Sequence, residues 1–200
     1  MKYRNLSHSV DIIKGIFHRI LGKTNLISAY WWGIKTGKGI VFMGKCHFKR
    51  FPGSQISIGN NCKFLSKPFS NQIGVNRHCM ISSQTKDAII EIGDDCGFSG
   101  TTIGGFKHIK IGNNVRGGAN TIITDSDWHN EDSRSGGAMA VFIEDNVWLG
   151  EGVKVLKGVK IGKNSVIGAG SIVRKNIPAD VVAMGDPCIV VRKITENEAI

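Results

Sequence analysis

Thr124 to Ala140 reads Thr-Asp-Ser-Asp-Trp-His-Asn-Glu-Asp-Ser-Arg-Ser-Gly-Gly-Ala-Met-Ala, so His129 has Asp125, Asp127 and Asp132 close by. A neutral imidazole whose far nitrogen is held by a carboxylate or carbonyl is a competent general base near neutral pH. It would draw a proton from an acceptor hydroxyl as that oxygen attacks an activated acyl group. Asp127 is taken as its partner, and Trp128 as a substrate contact. The plain alternative is a surface-loop histidine with no role. Metal chemistry is the other use of such a residue, and it needs three protein ligands with one open position. His47, His78 and His108 fall on other turns of the chain and no histidine neighbours His129, so no metal is expected. Gly-x-Ser-x-Gly, P-loop and Rossmann fingerprints are absent.

The element that would hold this histidine is written as a period of six. Ile143, Leu149, Val155, Ile161, Ile167 and Val173 form one column, and Val147, Val153, Val159, Ser165, Ser171 and Ile177 a second. That period fits neither a helix nor a plain strand; it suits a chain wound around a triangular prism, the hexapeptide signature of parallel β-helices. The corner phrase Ile58-Gly59-Asn60-Asn61 recurs at 111–114, with variants at 92–95, 143–146 and 161–164. Each corner follows an inward aliphatic and precedes a small or apolar residue such as Cys62, Cys96, Val115, Val147 or Ser165. Twenty-six glycines and the β-branched columns weigh against a helical solenoid. One interval breaks the rhythm: from Ile123, register resumes only at Ile143. Residues 124–140 are therefore expected as a loop thrown out of the coil, where binding and catalytic groups tend to sit.

Charge is unevenly spread. Residues 1–86 hold fourteen Lys/Arg and one acid, Asp11, while 87–200 hold twelve and fifteen; +13 and −3 make the net +10. This suits an anionic partner, lipid or phosphorylated substrate, and no nucleic-acid motif accompanies it. Five cysteines without a Cys-x-x-Cys pair read as small inward residues in a reducing compartment, three of them (62, 79, 96) at a spacing close to one coil. No signal peptide or membrane-spanning run is evident, so a cytoplasmic chain is expected. Val10, Ile13, Ile16, Phe17, Ile20 and Leu21 share one helical face, with Gly22 as the expected stop. That helix would cap the open coil or, with Lys14, Arg19 and Lys23 beside it, rest peripherally on the inner membrane face.

Five motifs resemble the hexapeptide-repeat acyltransferases, in the branch of maltose/galactoside and capsule or colanic-acid O-acetyltransferases. They are Thr-Asp-Ser-Asp-Trp-His (124–129), Asp-Asn-Val-Trp-Leu-Gly (145–150), Ile-Gly-Ala-Gly-Ser-Ile-Val (167–173), Asn-Ile-Pro (176–178) and Met-Gly-Asp-Pro-Cys (184–188). The resemblance spans about residues 40–192. It implies an all-β, left-handed parallel β-helix with a short N-terminal helix and an extruded loop. The hand cannot be read from the period and opposes the usual right-handed crossover. It also implies a homotrimer with sites between subunits, acetyl-CoA as donor, and direct transfer to a carbohydrate acceptor.

On that resemblance His129 is the catalytic base, and backbone N–H groups near Gly150 hold the oxyanion. Trp148 stands beside the acceptor and pantetheine tunnel, Gly168 and Ala169 let the pantetheine arm lie close, and Lys175 and Arg192 meet the nucleotide end. Ser99 and Asn120 are candidate acceptor contacts; Arg134 would reach an acidic acceptor or brace the loop. Glu151, Arg174 and Ile189 depart from the family pattern and put those donor contacts in question. The loop is shorter than in the maltose/galactoside enzymes, and a basic helix replaces their acidic N-terminal segment. Both move the expected acceptor towards capsule or surface-polysaccharide sugars, lipid-linked ones included. The expected organisation is helix and connector over 1–38, coil over 39–192 and tail over 193–200. The alternatives are N-acetylation of an amino sugar or aminated xenobiotic, and a metal-dependent or non-catalytic scaffold.

Overall fold

The computed structural model describes residues 22–129 and 131–195, which wind into a left-handed parallel β-helix of three sheets. The first face stacks strands Lys35–Thr36, Gln55–Ile58, Ile89–Ile92, His108–Ile111, Val141–Ile143 and Lys160–Ile161. The second stacks Val41–Met43, Lys63–Leu65, Gly97–Ser99, Arg116–Gly117, Trp148–Leu149 and Val166–Ile167, then Val181–Met184 and the antiparallel Ile189–Lys193. The third stacks His47–Lys49, Met80–Ser83, Thr102–Gly105, Ile122–Thr124, Lys154–Val155 and Ile172–Val173. Short strands pairing only with the coils above and below follow from one inward residue per side of the prism.

Both six-residue columns point inward and are buried along their whole length. Buried Ser165 and Ser171 satisfy their hydroxyls on the carbonyls of Pro178 (2.8 Å) and Gly168 (2.6 Å). The early coils are filled differently. Phe42, Phe64 and Phe98 stack at 5.3 and 5.6 Å, each pair adding about 0.5–1.5 kcal/mol beyond its burial. Gly117 takes the next place in that column, where a Cβ would press to 2.7 Å on the Phe98 ring.

The corner from first to second face is always short. It spans 37–40, 59–62, 93–96, 112–115, 144–147 and 162–165, four residues each time. Its last turn residue is left-handed at Asn61, Asp95, Asn114, Asn146 and Asn164, with φ between 52° and 61°. Asx side chains tolerate that region and here bond upward: Asn114 to Asn146 (3.0 Å), Asn146 to Asn164 (3.0 Å) and Asn164 to Asp180 (2.7 Å). A second ladder runs beside it, each backbone N–H of Asn60, Asp94 and Asn113 donating to the side chain one coil on.

The structure corrects four expectations. There are two insertions, not one: 66–79 between second and third faces, and 125–140 between third and first. Consequently Cys62 and Cys96, thirty-four residues apart, are the neighbours on adjacent coils; Cys79 belongs to another corner beside Cys46, and the seventeen-residue spacing is no coil length. All five thiols are buried and free. Gly22 does not stop the helix, which runs over 22–31; it is buried, with the Phe42 backbone next to the space a Cβ would fill. The coil begins at Lys35, before the expected boundary at 39, and its last strand reaches Lys193.

The helix face expected over residues 10–21 lies outside the described residues. The described helix caps the coil by Asn25, whose amide donates to the Gly44 carbonyl (3.1 Å) and accepts from the Cys46 N–H (2.8 Å). Among the described residues no helix is long and apolar enough to cross a membrane.

Candidate active site

The insertion 125–140 is rooted before it is exposed. Asp125 is fully buried, and its carboxylate accepts from the backbone N–H groups of Phe106 (2.7 Å), Lys107 (2.8 Å) and His108 (2.8 Å). Its carbonyl accepts from the Met139 N–H, which closes the loop at its neck. Trp128 sits at φ 70°, a strained conformation for a bulky residue that its surroundings hold. Its indole N–H donates to Thr124 Oγ1 (3.0 Å), its ring meets Phe106 edge-on at 5.3 Å, and it covers Gly104, where a Cβ would come within 2.3 Å of the indole. Trp128 therefore serves the loop as a keel, with its polar atom already engaged.

His129 stands beyond this root, its side chain 76 % exposed in the single chain. Nδ1 lies 3.2 Å from Glu131 Oε1. With Nδ1 carrying the proton for that carboxylate, Nε2 keeps its lone pair and is the basic atom. The Glu131 carboxyl is held below its usual range, first by a backbone hydrogen bond and then by His129.

The expected carboxylate partners all have other work. Asp125 ties the loop root. Asp127 pairs with Lys157 Nζ, which also reaches the carbonyls of Ser135 (3.5 Å) and Gly136 (3.3 Å). Asp132 takes the Arg134 guanidinium at 2.6–3.2 Å, so Arg134 braces the loop. The sequence does not mark two residues of this network: Glu131 is one of four carboxylates in the loop, and Lys157 sits on the next coil with only its charge to distinguish it.

The remaining candidates gather elsewhere. Trp148 is on the second face, 53 % exposed. Gly150, Gly168 and Ala169 stack on the corner that follows it, and Arg192 lies on the last strand of the same sheet, opposite Val182. The Gly150 N–H does not await an oxyanion: it donates to the Ile167 carbonyl (2.8 Å), and a Cβ there would strike the Ala169 backbone at 2.6 Å. Ser99 and Asn120 share this side of the prism, but they bind the first insertion. Ser99 Oγ accepts from Asn71 (3.2 Å); Asn120 accepts from the Asn76 N–H (3.0 Å) and donates to the Gly74 carbonyl (3.1 Å). Lys175 is exposed on the corner between third and first faces, apart from that group.

Thus His129, Asp127, Trp128 and Arg134 hang from one edge of the prism, and Trp148, Gly150, Gly168 and Ala169 line another. A single chain does not bring the two sets together. A groove of about 740 Å³ on the first face, lined by Lys110, Phe142, Glu144, Lys160 and Lys163, contains neither set. Among the described residues no group of three or more His, Cys, Asp or Glu side chains could hold a metal ion.

Residues 140–175 match the family model for bacterial transferase hexapeptide repeats. That stretch of the coil is of the bacterial transferase hexapeptide type. The chain is 44 % identical over 145 residues to a galactoside O-acetyltransferase of Lactococcus lactis, covering 70 % of this chain and 64 % of that one. It spans less than two thirds of the length of the curated relatives it matches. A galactoside acetyltransferase solved with coenzyme A superposes with a TM-score of 0.50 at 26 % identity, covering 82 % of this chain and 66 % of the other. An N-acyltransferase, AntD of Bacillus cereus, solved with an aminated dTDP-sugar and coenzyme A, gives 0.61 at 16 % identity over 86 % and 90 %, a likeness of fold alone. The resemblance to the maltose/galactoside branch read from the motifs agrees with these relatives.

Proposed function

We propose that the chain is an acetyl-CoA-dependent O-acetyltransferase that works as a homotrimer on a sugar hydroxyl in surface-polysaccharide synthesis, in the cytoplasm. The observation that carries this reading is the split site. A histidine with one ring nitrogen tied to Glu131 is held off one edge, and the wall formed by Trp148 and the small residues Gly168 and Ala169 lies on another. Cyclic assembly brings one edge of a copy against another edge of its neighbour, so His129 would face Trp148 of the partner subunit.

In that groove Nε2 of His129 takes the proton of the acceptor hydroxyl as its oxygen attacks the thioester carbonyl of acetyl-CoA. The tetrahedral oxyanion then expels the thiolate of coenzyme A, and the imidazolium returns its proton to that sulfur. The Gly150 N–H is engaged in the coil and does not hold that oxyanion. The names of the 44 % identical relative and of the solved galactoside acetyltransferase support the donor and the acceptor class. The basic first half of the chain supports an acidic or pyrophosphate-linked glycan.

Release of coenzyme A thiol from acetyl-CoA, measured over a panel of free, nucleotide-linked and lipid-linked sugars, tests the proposal. Turnover with at least one sugar, abolished in His129→Ala, is expected. No thiol release with any acceptor, or full activity of the variant, would overturn it. Product stable to mild alkali would indicate an amide, as in the N-acetylation alternative.

A further inference from the structure

Helix 22–31 presents two unlike faces. Gly22, Asn25 and Ala29 are buried against the first coil, as a cap requires. The opposite face carries Leu26, Ile27, Tyr30 and Trp31, exposed at 37, 58, 82 and 85 %, and Trp32 and Phe51 beside it are exposed above 40 %. A solenoid needs a polar outer face on its terminal cap to stay soluble. Here that face is the most aromatic exposed surface among the described residues, and it is rigid. Gly33 closes the helix, and Arg50 donates to the Trp32 carbonyl (2.6 Å) and the Ser54 carbonyl (2.7 Å), fixing the aromatic end to the coil.

The charge around this face is of one sign. Residues 22–86 contain ten Lys/Arg and no acid. Every described ion pair falls between residues 91 and 186. Lys23, Lys35, Lys38, Lys45 and Lys49 ring the capped end on the helix and first coil. His47 and His78 lie 5.2 Å apart there, and burial, Lys45 and His78 hold His47 below its usual range. Two such ends would repel each other, which argues against a second copy as the occupant. Tyr and Trp are the side chains that settle at a lipid headgroup boundary, and a lysine ring adds attraction to anionic headgroups.

We propose that the capped end of the prism, through Ile27, Tyr30 and Trp31 within this acid-free coil, docks on an anionic lipid bilayer. The prism axis would then stand away from the membrane, with both insertions above its surface. This deepens the lipid-linked acceptor reading, but the docking itself does not depend on transfer.

The test is cosedimentation of the full chain with phosphatidylcholine vesicles, with and without phosphatidylglycerol, alongside tryptophan emission. Wild type should bind the anionic vesicles with a blue shift, and binding should weaken as salt rises. Ile27→Ser/Tyr30→Ser/Trp31→Ser should lower the partition coefficient about tenfold or more. These side chains are exposed, so thermal unfolding of the variant should match wild type. Turnover on a soluble sugar should be unchanged, so failure of docking and failure of the transfer reading are seen separately. Absence of wild-type binding, equal binding to neutral vesicles, or an unaffected triple variant would each overturn the proposal. So would a larger assembly that the triple variant dissolves without any vesicle binding, which would assign the face to another copy.

Discussion

The two insertions leave the same scaffold by adjacent corners and are fixed in opposite ways. Residues 66–79 are held from outside: the coil reaches up with Ser99 and Asn120 to grip the backbone and side chain of a segment without a single acid. Residues 125–140 are held from within: their own Asp125 and Trp128 turn down into the coil, and Lys157 closes the middle. The first arrangement uses up the polar groups of the coil and leaves Phe69 and Ile73 outside. The second engages the root and middle of the loop and leaves an imidazole beyond them, its ring bonded to Glu131. A loop that anchors itself can carry a reactive group without the scaffold surrounding that group.

The sharpest way to break this contrast is His129→Ala. It should lower turnover by roughly 10²–10⁴, leaving the unfolding temperature within error, because the side chain's bond is to an exposed carboxylate, Glu131. Mixing His129→Ala with Trp148→Ala chains in one oligomer should restore about a quarter of the wild-type rate by random assortment, if each site takes one residue from each of two subunits. No recovery would place both groups in one subunit's site.

Asp125→Ala should be the most destabilising loop substitution, by about 2–4 kcal/mol in chemical unfolding, since three partly buried N–H groups lose a fully buried charged acceptor. Asn120→Ala should cost less, about 2–3 kcal/mol, from two lost hydrogen bonds and a left-handed φ that alanine resists. Its proteolytic nicking should fall in 66–79 and spare 125–140.

Acidification gives the finest distinction. The Glu131 and Asp132 carboxyls are held below their usual range, the first by a backbone hydrogen bond and His129, the second by Arg134. Their contribution is present above the ordinary carboxylate range and lost as pH falls through the lowered values. Hydrogen exchange at mild acid should therefore loosen 129–135 before 66–79, where no carboxylate titrates.

The coil over 143–177 could be read from its residues because every inward place there takes one aliphatic or small side chain, so the period stands unmasked. The first insertion stayed hidden for a physical reason. Phe69, Ile73 and Val75 keep apolar residues recurring through a loop, and Cys62, Cys79 and Cys96 halve a thirty-four-residue coil into two plausible ones. The position of His129 was legible from the break in rhythm, but its partner was not. Four carboxylates lie within four residues of it, and only the backbone path decides that Asp125 goes inward, Asp127 to Lys157, Asp132 to Arg134 and Glu131 to the ring. Gly22 reads as a breaker in the sequence, yet it stands inside the described helix, buried against the Phe42 backbone at ordinary contact distance.

The constant four-residue corner has a consequence for how such a molecule can change. Two side-chain ladders climb that edge, each rung set by the one beneath, so one added residue at 144–147 would offset the rungs on either side. The other two edges carry segments sixteen and fourteen residues long, where two to five serve elsewhere, without disturbing the stack. Foreign peptides grafted into 66–79 or 136–138 should be carried, while the same peptide at the laddered edge should prevent folding. That edge is the binding of the book, and novelty is written only on the open sides.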